Sequence, residues 1–159
     1  MPQTLNKVRY IELLKKNQNL QNKNTSLYKE NRVEYRELIS YGGIVYNQII
    51  YNRRDDYISL IEEYVTNEID SFVLRLQFFQ TQREDRKIKK DLEKNFQQLS
   101  NLLIDSKSSE FSLLINDIFE ACEALKSDSE PEKAYGINEL QFRAFLEKIF
   151  LQMEKYSDK

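Results

Sequence analysis

Apolar positions recur along this chain at helical spacing, and nowhere do they alternate with the period of two that a strand requires. Leu5, Val8 and Ile11 stripe a short first helix, after which residues 17–24, rich in Asn and Gln, read as a polar linker. Residues 29–52 form a tyrosine-rich helix punctuated by Leu38, Ile39, Ile44, Val45, Ile49 and Ile50. Gly42 and Gly43 fall inside it. Each costs roughly 1 kcal/mol relative to alanine in a helix interior, which predicts a bend or break, with close packing of another helix against the glycines as the competing explanation. Ile58, Ile61 and Val65 stripe a short helix that ends near Asn67. Asp55 and Asp56 stand at its start, where carboxylates complement the helix dipole.

Further along, Asp70 has the character of an N-cap, with Ile69 before it and Leu74 after it at hydrophobic-staple spacing. The helix it opens is expected to bury Val73, Leu76 and Phe79. A charged stretch from Arg83 to Lys90 leads into Ile88, Leu92, Phe96, Leu99 and Leu103. Ser108 or Ser109 is placed to cap the next helix, whose apolar side gathers Phe111, Leu114, Ile115, Ile118, Cys122 and Leu125. Asn138 with Gln141 makes a variant capping box and Ile137 with Phe142 a second staple. The last helix then carries Phe142, Phe145, Leu146, Ile149 and Met153. Short connections between such segments predict an all-α fold, an antiparallel helical bundle of four to five core helices with an N-terminal helical extension. Residues 1–52 are the extension, partly flexible, and 53–159 the bundle.

Composition agrees with helices: apolar residues are 40% of the chain, with three Gly and two Pro, Pro2 and Pro131, both outside the periodic stretches. No signal peptide and no apolar run near eighteen residues is present, which points to a soluble, cytoplasmic (or organellar stromal) protein. The absence of histidine excludes Ser-His-Asp and Cys-His arrangements and imidazole metal ligands. A single Cys excludes a thiolate zinc site and an internal disulfide framework, and Cys122 reads as a small core residue. Gly42-Gly43 lacks the Lys and Ser/Thr of a phosphate loop. Glu120 and Glu123 have the i, i+3 spacing of a carboxylate metal site, but helical di-iron proteins pair such glutamates with a histidine that this chain cannot supply. The expectation is a protein that is not an enzyme and uses no cofactor.

Charge is unevenly spread behind a net value of −2. Residues 1–40 carry eight Lys/Arg against four Glu, whereas residues 105–132 carry eight acids against Lys107 and Lys126. On a helical wheel Asp117, Glu120 and Glu123 centre opposite the apolar stripe, and Asp128, Glu130 and Glu132 follow in a loop. These six are the candidate partner-binding residues. Their alternative is the ordinary fate of Asp and Glu, a solvated face.

Three segments between Tyr57 and Tyr156 bear on what such a surface is for. The first is Tyr57-Ile-Ser-Leu-Ile-Glu-Glu-Tyr-Val, followed by Asn67-Glu-Ile-Asp-Ser-Phe and Arg75. The second is Ile118-Phe-Glu-Ala-Cys-Glu-Ala-Leu with acids at 128, 130 and 132, and the third is Tyr135-Gly-Ile-Asn-Glu-Leu-Gln-Phe-Arg. In this order the features resemble the colicin D-type immunity family, the bacterial self-protective colicin-like immunity proteins, over roughly two thirds of the chain. The resemblance implies a helical bundle that binds and blocks a basic nuclease toxin domain, its acidic surface standing in for the phosphates of a tRNA substrate. Residues 1–52 lie outside the shared region.

Two other features carry their own readings. Tyrosines 35, 41, 46, 51, 57 and 64 are denser than a core requires, and tyrosine favours interfaces; a helical adaptor or assembly subunit using this N-terminal region is the alternative function, and half-buried packing the alternative to an interface. Arg83, Arg86, Lys87, Lys89, Lys90 and Lys94 face nucleic-acid phosphates in one reading. Glu84, Asp85, Asp91 and Glu93 intersperse them, which suits a solvated helix laced with i, i+4 ion pairs better.

Overall fold

The computed structural model describes residues 4–126 and 136–158. Among them eight α-helices follow one another and no strand occurs: α1 Lys7–Asn22, α2 Leu27–Glu30, α3 Arg32–Asn52, α4 Arg54–Val65, α5 Ser71–Lys94, α6 Phe96–Asn101, α7 Ser108–Ala124 and α8 Glu139–Met153, the last closed by a 3₁₀ turn at Glu154–Tyr156. None of these helices is long and apolar enough to cross a membrane.

Neighbouring helices run antiparallel, as named pairs establish. Tyr10 meets Tyr41 and Lys16 meets Glu34 between α1 and α3. Lys89 approaches Gly42, and Arg86 the Tyr46 hydroxyl, between α5 and α3. Phe79 and Phe119 join α5 to α7 with ring centroids 5.8 Å apart. Tyr64 packs on Phe142, and Arg54 reaches the Tyr156 carbonyl, between α4 and the α8 end. The all-α antiparallel bundle expected from periodicity is what the chain forms.

Two apolar clusters hold it together. One gathers α4, α7, α8 and the first half of α5 around Tyr57, Ile61, Phe78, Phe111, Ile118 and Phe142. The other gathers α1, α2, α3 and Leu99 of α6 around Tyr10, Leu13, Leu27 and Val45. Helix α3 serves both, offering Leu38, Tyr41, Val45 and Ile49 to the second and Ile50 and Tyr51 to the first.

Local signals explain most helix boundaries. Asp70 accepts from the Val73 amide at 2.9 Å, and Ile69 and Leu74 both join the first cluster, as a staple requires. Asn138 and Gln141 exchange hydrogen bonds of 2.8 and 2.9 Å in a full capping box. Asp55 and Asp56 occupy the first turn of α4. Asn67, with φ of 64°, turns the chain between α4 and α5.

Several expectations are corrected. The expected linker at 17–24 is mostly helix, since α1 continues to Asn22; the Asn17 carboxamide accepts from the Leu27 amide at 3.0 Å and Leu20 packs on the second cluster. Helix α3 passes through Gly42-Gly43 without a break, and neighbours press on the first of them: a Cβ on Gly42 would stand 3.3 Å from the Lys89 ammonium and 3.6 Å from the Tyr10 hydroxyl. Helix α5 does not bury Leu76, which is 55% exposed; its inward stripe is Leu74, Phe78, Gln82 and Asp85. The apolar reading passed over two polar members of that stripe. Leu103 lies after α6 and is 82% exposed. Neither Ser108 nor Ser109 caps α7: the Asp105 side chain accepts from the Lys107 amide, while the Ser108 hydroxyl donates to the Asp105 carbonyl. Beyond α7, Leu125 and Ile137 form an isolated bridge, with Lys126 N–H donating to the Ile137 carbonyl and Ile137 N–H to that of Ala124, each at 2.9 Å.

Candidate functional site

Helix α7 is built to present one edge. Phe111, Ile115, Ile118, Ala121 and Cys122 recur every three to four residues and are buried, which turns the opposite edge to solvent. Glu120 and Glu123 are exposed there, one turn apart, and Asp117 is half-buried beside them. The Asn116 carboxamide donates to Glu120 at 3.2 Å. Asp128, Glu130 and Glu132 lie outside the described residues.

The last turn of α7 holds no basic residue, and Glu123 lies in it, at the negative end of the helix dipole. Behind the edge, burial pushes the Cys122 thiol up to about 12; the Arg75 guanidinium of α5 pulls it down and Glu123 pushes it up. Arg75 and Glu123 therefore flank Cys122 from two helices. Among the described residues no group of three or more His, Cys, Asp or Glu is arranged to hold a metal ion.

The tyrosine series divides on folding. Tyr41, Tyr51, Tyr57 and Tyr64 are buried, their rings committed to internal aromatic contacts. Burial, then the nearby Glu139 carboxylate, pushes the Tyr64 phenol up to about 12. Tyr35 and Tyr46 are half-buried and line a cleft between α1, α3 and α5.

The basic stretch 83–94 also divides, by helix face. Lys89 pairs with Glu93 at 2.6 Å in the i, i+4 pattern. Asp85 turns inward, where the Arg53 guanidinium donates to one carboxylate oxygen at 2.8 Å and the Tyr57 hydroxyl to the other. Arg53 also reaches Glu84 at 2.8 Å. Sequence reading missed this buried network. Its signal was the 74, 78, 82, 85 spacing, visible once polar residues are admitted to a core stripe.

Comparison of the chain with family models, characterised proteins and solved structures finds no match.

Proposed function

We propose that the chain is an immunity-like inhibitor that binds a basic nuclease toxin domain through the acidic edge of α7. The carboxylates of Glu120, Glu123 and Asp117 would occupy positions that the toxin reserves for substrate phosphates. Asp128, Glu130 and Glu132 belong to the proposal by sequence and charge alone.

The observation that carries it is the placing of Glu120 and Glu123 one turn apart on a helix whose other face is locked into the core. Carboxylates on a rigid element lose little freedom on meeting Lys and Arg, so a bidentate charge-assisted contact gains most of its energy. An acidic surface also accelerates capture of a basic partner by electrostatic steering, which suits an inhibitor that must act before the toxin does.

The test is retention of a partner from the native host on the immobilised chain at two salt concentrations, with the bound protein identified by mass spectrometry. A basic nuclease, retained more strongly at low salt and lost when Glu120→Lys is combined with Glu123→Lys, is the expected result. A nuclease retained equally by that double variant, with circular dichroism unchanged, overturns the reading.

A further inference from the structure

A cleft of about 580 Å³ lies where α1 and α5 converge on α3, and none of its lining residues belongs to α7. This volume is within the range of cavities that hold small organic ligands. Its floor is one face of α3, running from Tyr35 through Ile39, Gly42 and Gly43 to Tyr46. These residues recur at helical spacing over about eleven residue steps, or about 16 Å of helix. Tyr10 and Leu14 of α1 form one wall, and Arg86, Lys89 and Glu93 of α5 the other.

Two observations say what fits there. The first is Gly43. Glycine is among the least favoured residues in a helix interior, and close packing accounts for Gly42, but a Cβ on Gly43 would meet no atom within 4 Å. A side chain at 43 would project into the open space of the cleft floor. Beside it Ile39 is 56% exposed, so the open space is apolar at the Tyr35 end.

The second observation is charge. Lys89 and Glu93 neutralise each other's charge across 2.6 Å. Arg86 has the Tyr46 hydroxyl for a partner and, among the described residues, pairs with no carboxylate. The cleft thus has an apolar end at Tyr35 and Ile39 and a cation, Arg86, at the Tyr46 end.

We propose that this cleft binds a small amphipathic organic acid, its apolar body over Gly43 and Ile39 and its anionic group on Arg86. The site is independent of the acidic edge, and either proposal stands if the other falls.

The test uses the full chain and the fluorescent probe 8-anilinonaphthalene-1-sulfonate, with neutral N-phenyl-1-naphthylamine for comparison. One sulfonate probe is expected to bind per folded chain. Gly43→Leu, whose Cβ meets no protein atom within 4 Å, should weaken both probes by about tenfold or more while thermal unfolding stays the same or moves up. Arg86→Gln should weaken the sulfonate by about tenfold and leave the neutral probe within about twofold. Absence of saturable binding to the native chain overturns the proposal, as does binding that Gly43→Leu leaves unchanged. Equal loss of both probes in Arg86→Gln overturns the assignment of the anionic end.

Discussion

The Arg53 guanidinium donates to the Asp85 carboxylate at 2.8 Å across the join between α3, α4 and α5, and the Asp85 side chain is 0% exposed. Tyr57 donates to the second oxygen of the same carboxylate. One inward acid on α5 is thereby tied to the turn between α3 and α4 and to α4 itself. Arg53 keeps Glu84 as a second partner, so Asp85→Ala, which removes the buried acceptor of both hydrogen bonds, should cost about 1–3 kcal/mol in urea unfolding. Tyr57→Phe removes one hydrogen bond and should cost about 1–3 kcal/mol. Values near zero for both variants would show that the network adds nothing to stability.

The same acid has a pH signature. Burial raises the Asp85 carboxyl above its ordinary value, against the opposing hydrogen bonds and charges of Tyr57 and Arg53. A raised folded value means that the native state holds the proton more tightly than the unfolded chain. That contribution is present at low pH and is lost as pH rises from about 4 through the folded value. The stability of the wild type minus that of Asp85→Asn should therefore fall with rising pH across this window. A difference that rises there would contradict the assignment.

Glu34 behaves in the opposite sense. The hydrogen bond from Lys16, and then that from Arg9 at 2.9 Å, outweigh desolvation and hold its carboxyl below the usual glutamate range. Its contribution is present above the unfolded value of about 4.3 and is lost as pH falls through the depressed folded value. Carboxyl carbon NMR should show Glu34 titrating below an ordinary glutamate, and Lys16→Met should move it up. Titration at the ordinary value in the wild type would remove the clamp between α1 and α3.

The three glycines should respond differently to alanine. A Cβ on Gly136 would stand 2.5 Å from the Ala124 carbonyl oxygen and 2.6 Å from Lys126 Cγ, so Gly136→Ala must open the Leu125–Ile137 bridge and should cost about 1–3 kcal/mol. Gly43→Ala should stabilise by about 0.5–1 kcal/mol, because the helix gains propensity and nothing is displaced. Gly42→Ala meets the flexible end of Lys89 and should fall between them. Thermal unfolding of the three variants gives the order directly.

Cys122 offers a chemical check. With its thiol buried and pushed up to about 12, it should react with 5,5′-dithiobis(2-nitrobenzoate) only as fast as the protein opens. Rapid reaction in the native state would place the α7 face somewhere other than the core.

The chain alone determined its helical class, the Asp70 cap, the Asn138–Gln141 capping box and the apolar stripes of α7 and α8, because each is set by residues within four positions of one another. It also placed Glu120 and Glu123 on an outer edge, since the facing stripe left them no other side. What the linear pattern could not decide was set by contacts between distant residues. Gly42-Gly43 reads as a break until Lys89 and Tyr10 arrive from other helices. Asp85 reads as one more solvated charge until Arg53 and Tyr57 make its burial tolerable. The cleft has no local signature, because its walls come from three helices and its chemistry from their convergence. Periodicity reports which side of a helix faces inward on average; only the packed partners determine which polar group can follow it inside.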